Sequence, residues 1–203
     1  MGPDSALLTE MANFAAQQGI PIVNPATAGL LMQTVREQRP ARILEIGTAI
    51  GYSTILMAMN SPPAEIITIE NNPARVELAA QYLERAKLAQ RVKIITGDAG
   101  ELISPLTGKF DLVFIDAAKG QYLDYLLKII DKLNDQALVI ADNVLFRGMV
   151  TAAEPPVRRF RTIVKRLRAY LEYVNNSELF STRVFAIGDG VSVSRYVGGK
   201  CSN

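Results

Sequence analysis

The chain has 203 residues, 49% hydrophobic and 21% charged, with a formal net charge of +2 at pH 7. That length suits one α/β domain with a sizeable core, and the near-neutral balance excludes a general polycation, so any basic patch must be local. Histidine is absent, which removes Ser-His-Asp and Cys-His catalysis and every imidazole-held metal site; a general base must be Lys, Asp, Glu or Tyr, and a metal must rely on oxygen ligands.

Two helices are expected first, at about 4–18 and 25–38, the second with Asn24 as N-cap and Pro25 at its first position. Between them Pro21 prevents helix continuation. From Ala41 onward, short β-branched runs alternate with helical stretches. The runs are 41–47, 65–70, 92–98, 111–116 and 137–143, and the helices 51–60, 73–89, 99–104 and 121–133. Nearly all-apolar strands separated by helices imply a parallel sheet covered on both faces, and right-handed crossovers make it doubly wound. A long helix at 155–174 follows, its buried stripe formed by Val157, Phe160, Val164, Leu167, Leu171 and Val174. RVFAI at 183–187 and VSVSRYV at 191–197, joined by Gly188-Asp189-Gly190, read as an antiparallel hairpin. No run is long enough to cross a bilayer and the first residues lack an export pattern, so the expected location is cytoplasmic. The single cysteine, Cys201, excludes an intrachain disulfide and is read as incidental on a terminal tail.

Ligands of open α/β sheets bind outside the carboxyl ends of the strands. The first strand runs into Glu45-Ile46-Gly47-Thr48-Ala49-Ile50-Gly51, then Tyr52-Ser53; the glycines permit a tight turn and close approach to a ligand. Their spacing is not G-x-G-x-x-G, and alone the pair is as well explained by a structural turn. Glu70, 23 residues after Gly47, ends the second strand where it can accept from ribose hydroxyls, and Asp98 follows the third, able to accept from an adenine amino group. Either acid by itself is equally explained as a helix cap; together with Glu45 they favour an adenosine-type ligand.

The fourth strand ends in Asp116, followed by Ala117-Ala118-Lys119, and the fifth in Asp142-Asn143. Two carboxylates and an amide carbonyl are hard-oxygen donors suited to Mg²⁺, Mn²⁺ or Ca²⁺, with water or substrate completing the shell. Asp-Asn after a strand also starts turns, but Asp116 and Lys119 on the adjacent strand favour the metal. A partly desolvated lysine beside a divalent cation can serve as a base.

ILEIGTAIGYS, TIE at 68–70, GDA at 97–99, FIDAAKGQY at 114–122 and ADNVLFRG at 141–148 resemble the metal-dependent O-methyltransferases, which include catechol and caffeoyl-coenzyme A O-methyltransferases. Within them the chain looks most like the bacterial tRNA 5-hydroxyuridine methyltransferases. The resemblance implies a class I, Rossmann-like fold: a mostly parallel seven-stranded sheet with a C-terminal antiparallel hairpin. Residues 1–40 would be acceptor- and dimer-side helices of the same domain, and 41–203 the methyltransferase domain. It also implies S-adenosylmethionine contacts from Val23, Glu45, Gly47, Ser53, Glu70, Asp98, Ala99 and Asp116. Mg²⁺ would be held by Asp116, Asp142 and Asn143, Lys119 would be the base, and the protein a homodimer. Ala117 and Ala118 depart from the bulky residues that catechol enzymes carry there, and the N-terminal region looks shorter than in the tRNA enzymes.

Arg158, Arg159, Arg161, Lys165, Arg166 and Arg168 fall within eleven residues, and Arg147 lies on the loop after Asn143. A local positive stripe suits a phosphate backbone; the plainer alternative is a solvated helix face. Three readings stand: a tRNA wobble-uridine O-methyltransferase, the same chemistry on a small catechol-like molecule with two vicinal oxygens, and a nucleotide-binding dehydrogenase or non-catalytic RNA-binding domain. No membrane partner is expected.

Overall fold

The computed structural model describes residues 3–198, so Cys201 lies outside them. The chain forms two compact units, Met1–Ala99 and Gly100–Asn203. The described residues contain seven strands, parallel except for those added at the C-terminal end, in the α/β class expected.

The first unit carries α1 (Pro3–Gln18), α2 (Pro25–Gln38), β1 (Arg42–Ile46), α3 (Tyr52–Asn60), β2 (Glu65–Glu70), α4 (Pro73–Arg85) and β3 (Val92–Thr96). The Asn24 side chain accepts from the N–H groups of Ala26 (3.0 Å) and Thr27 (2.9 Å), with Pro25 opening α2. Asn72 and Pro73 repeat this device at α4. Each cap satisfies donors that helix geometry leaves without an intrahelical partner. Strands β3, β2 and β1 lie side by side in parallel, with Glu45 in register with Thr68 and Ile46 with Ile69. Ile43, Leu44, Ile46, Ile66 and Ile69 are buried, each contributing about 1.5–3 kcal/mol by leaving water.

Glu45 is fully buried in that strand. One carboxylate oxygen accepts from Ser53 Oγ at 2.6 Å; the other accepts from Thr68 Oγ1 at 2.6 Å and from the Thr54 hydroxyl. Thr48 extends the chain of hydroxyls through Thr68, 2.5 Å away. A buried carboxylate needs such donors, and here they tie the start of α3 and the middle of β2 to β1. Glu45→Leu is expected to lower the unfolding free energy in urea by about 1–3 kcal/mol or more, because buried hydroxyls lose their acceptor. Unchanged stability would show that the network carries no load.

The second unit carries most of α5 (Ala99–Leu102), then β4 (Phe110–Ile115), α6 (Tyr122–Ile129), β5 (Leu133–Asp142), α7 (Arg161–Asn176), β6 (Phe180–Phe185) and β7 (Val191–Tyr196). Its strand order is β4-β5-β7-β6; β4 and β5 are parallel, and β7 is antiparallel to both β5 and β6. Several boundaries differ from expectation. Helix α7 begins at Arg161 rather than 155, since Pro156 keeps Pro155 out of the helical region and a short 3₁₀ turn, Arg158–Phe160, comes first. Val157, expected in the buried stripe, is therefore 58% exposed, while Tyr170 joins Val164, Leu167 and Val174 inside. Strand β5 starts four residues before Ala137: polar Asn134-Asp135-Gln136 hides it, but Leu133 pairs with Phe110 across an irregularity in register.

Candidate functional site

In the first unit, Gly47 (φ 101°), Ala49 (φ 45°) and Gly51 (φ 85°) put three left-handed residues between β1 and α3. The turn is held by the N–H groups of Gly47 and Thr48 donating to the Ile69 carbonyl (2.9 and 3.3 Å) and that of Gly51 donating to Thr48 O (2.8 Å). A Cβ on Gly51 would stand 3.4 Å from the Ala79 side chain, so backbone conformation and space both select glycine there. No side chain caps α3, the arrangement in which a helix start can receive an anionic group.

Glu70 is almost fully buried at the end of β2, one carboxylate oxygen accepting from Ala49 N (2.9 Å) and the other from Asn72 N (3.0 Å). Both bonds aim the carboxylate and leave each oxygen lone-pair capacity for further donors. Val23 and Ala99 are buried, Ser53 is buried with its hydroxyl on Glu45, and Asp98 is exposed immediately before α5. Glu45 is thus placed as the hub of a hydroxyl network. Its partners Thr54 and Thr68 carried no sequence signal, because hydroxyl residues beside a strand end look like ordinary polar filler.

In the second unit, Ile115 is in register with Ala141, so Asp116 and Asp142 follow in step at the carboxyl ends of adjacent parallel strands. Asp142 is 2% exposed, and its Oδ1 accepts from Asn143 N at 2.7 Å. Asn143 takes a left-handed backbone (φ 57°), which asparagine tolerates better than most residues. Past it, Val144 N donates to Gly190 O at 2.9 Å. Asp116 is half-buried; burial raises its carboxyl above the usual carboxylate range, and nearby Lys119 partly offsets this. Lys119, half-buried, opens a short 3₁₀ turn, Lys119–Gln121, leading into α6. Asp116 and Asp142 also both act on the buried Tyr122 hydroxyl, so one neighbourhood holds both carboxylates.

This donor set fits a hard divalent cation. Among the described residues no cluster of three or more His, Cys, Asp or Glu side chains offers a closed cage. Two carboxylates and the Asn143 amide leave positions for water or an acceptor's oxygens, an open arrangement that Mg²⁺ commonly adopts.

The seven basic residues are all exposed, and among the described residues none is within 4.0 Å of a carboxylate. They do not form one stripe. Arg147 and Arg159 lie over the Phe160 ring at 5.6 and 4.6 Å. Arg168 donates to the carbonyls of Val150 (2.8 Å), Ala152 (3.0 Å) and Met149 (3.2 Å), bracing that loop. Arg166 donates to Gly120 O at 3.2 Å, beside Lys119. Arg161, Thr162, Lys165, Arg166 and Ala169 line a surface groove of about 430 Å³. Among the described residues no helix is long and apolar enough to cross a membrane.

Known proteins match along nearly the whole chain. A family model described as O-methyltransferase matches residues 2–197. A catechol O-methyltransferase from Niastella koreensis is 35% identical over 174 residues, covering 79% of this chain and 78% of that protein. A Staphylococcus aureus structure assigned as a caffeoyl-CoA O-methyltransferase superposes with a TM-score of 0.86 at 34% identity, covering 93% of this chain and 91% of the other. A Bacillus cereus O-methyltransferase solved with S-adenosylhomocysteine (SAH) gives 0.82 at 27% identity, covering 94% and 90%.

Proposed function

The chain belongs to the O-methyltransferase family, and from that premise we propose that it transfers the methyl group of S-adenosylmethionine to a hydroxyl standing beside a second oxygen, with Mg²⁺ or a similar cation. The observation carrying this reading is the pair of carboxylates in step at the ends of β4 and β5, with Asn143 next to one and Lys119 three residues from the other. Support for the donor comes from the aimed carboxylate of Glu70, the left-handed turn at Gly47–Gly51 and the SAH-bound relative. In this reading Glu70 accepts from the ribose hydroxyls and Asp98 from the adenine. Gly47 and Ser53 line the methionine end; Val23 and Ala99 supply apolar contact.

Asp116, Asp142 and Asn143 would hold the cation, which supplies Lewis acidity toward the acceptor hydroxyl. Lys119, acting as the neutral amine, would take the hydroxyl proton on Nζ and become the ammonium. The oxygen then forms a bond to the methyl carbon as the carbon–sulfur bond breaks, leaving neutral S-adenosylhomocysteine. Most of the acceleration comes from fixing oxygen and methyl in line, an effect worth roughly 7–11 kcal/mol at best.

For the acceptor, the cations at 147–168, none of them paired with a carboxylate among the described residues, favour a 5-hydroxyuridine in tRNA, whose O5 and O4 offer the vicinal pair, methylated to 5-methoxyuridine. Arg161 and Lys165 would carry that contact in the groove, whereas Arg168 is engaged with the 149–152 loop. A small catechol-like acceptor is the second reading, favoured by the activity named for the Niastella relative. Labelled S-adenosylmethionine, Mg²⁺ and undermodified bacterial tRNA should give a labelled modified uridine after digestion, with transfer falling steeply as salt rises. Label entering a catechol, with tRNA untouched, would choose the second reading.

A further inference from the structure

The buried Tyr122 is absorbed by none of the roles above. It is 1% exposed at the start of α6, and its hydroxyl donates to the backbone carbonyl of Asp142 at 3.0 Å. That carbonyl belongs to the peptide joining Asp142 to the left-handed Asn143. Strand β4 ends at Ile115, whose partner is Ala141, so Asp142 lies one residue beyond the parallel pairing. The Tyr122 hydroxyl takes up hydrogen bonding where the ladder has stopped. The hydroxyl thus touches the main chain at Asp142, with Asp116 in the same neighbourhood.

The ring is itself fixed. Tyr170 of α7 packs edge-on against it, centroids 5.8 Å apart at 84°. The Tyr170 hydroxyl meets Ser192 Oγ at 3.2 Å, and Ser192 sits on β7 in register with Ala141. Helix α7 thus packs on the phenol carried by α6, and α7 is in turn tied to β7 through Ser192. A rigid group bonded to a strand end differs from a buried tyrosine that merely fills space.

We infer that Tyr122 is a positioning residue for the cation site: its hydroxyl holds the Asp142–Asn143 step so that both side chains are presented as ligands. This rests on the metal-dependent reading above. Outer groups that orient metal ligands change affinity by about 10–100-fold when removed. Tyr170→Phe is the control, since it deletes a buried hydroxyl of the same core without touching Asp142. Mn²⁺ binding to the whole protein, without acceptor, is read by electron paramagnetic resonance alongside melting temperature. Tyr122→Phe should weaken Mn²⁺ binding by about 10–100-fold, while Tyr170→Phe leaves it near that of the unsubstituted protein. In turnover, Tyr122→Phe should raise the Mg²⁺ concentration for half-maximal rate, with kcat regained at saturation. Equal Mn²⁺ affinity in Tyr122→Phe and the unsubstituted protein, or equal losses in both variants, would overturn the inference. No Mn²⁺ binding to the unsubstituted protein would sink the metal reading itself and the inference with it.

Discussion

Lys119→Met should lower kcat for methyl transfer by about 10²–10⁴-fold, the range a positioned base contributes, while S-adenosylmethionine still binds. The reason begins with what the chain lacks: without histidine, few groups can take a proton from the acceptor. Lys119 stands at the start of the turn after β4, close enough to Asp116 to oppose the upward push of burial on that carboxyl. Methionine keeps an unbranched stem one atom shorter and deletes the proton-accepting end, so the loss would be chemical rather than structural. Single-turnover rates with donor and acceptor saturating are the measurement. A rate equal to that of the unsubstituted protein would remove Lys119 from the chemistry.

Asp142→Ala should reduce transfer by about 10²–10⁴-fold, the several kcal/mol that a Lewis acid supplies, and a chelator should do the same to the unsubstituted protein. Asp142 is nearly inaccessible, and its carboxylate also accepts from Asn143 N, so alanine removes one proposed ligand and loosens the residue proposed as the next. Melting temperature must be followed in parallel, because the residue sits in the core strand β5. Comparing rates across a Mg²⁺ titration separates the two effects: lost stability lowers the rate at every concentration, whereas lost ligation moves the titration. Full activity of Asp142→Ala with chelator present would eliminate the metal.

Much of this was legible in the residues because its causes are local. Asn24-Pro25 and Asn72-Pro73 each put a cap and a starter in adjacent positions. Apolar runs such as EIITIE can be buried on both faces only in a covered sheet. Boundaries were read less well where context overrode composition. Pro155-Pro156 delayed α7 to Arg161, and Asn134-Asp135-Gln136 entered β5 through pairing that polarity disguises. The basic run is the instructive case. In sequence its members are equivalent, but Arg168 braces a loop, Arg159 covers a ring and Lys165 faces a groove. Which partner a long side chain finds depends on segments far away in the chain.

By itself the sequence determined the chemical vocabulary: strand-end carboxylates, an amide and a lysine in a histidine-free chain, on an alternating α/β frame. Those properties follow from residue type, short-range spacing and periodicity. Only the tertiary structure decided that Glu45 is held by three hydroxyls, and that Tyr122 and Tyr170 stand behind the Asp142–Asn143 corner. Tyrosine in a helix has the same local signature whether its hydroxyl meets water or a backbone carbonyl at a strand end. Long-range packing chooses between the two, because burial without a partner is costly and the fold supplies one.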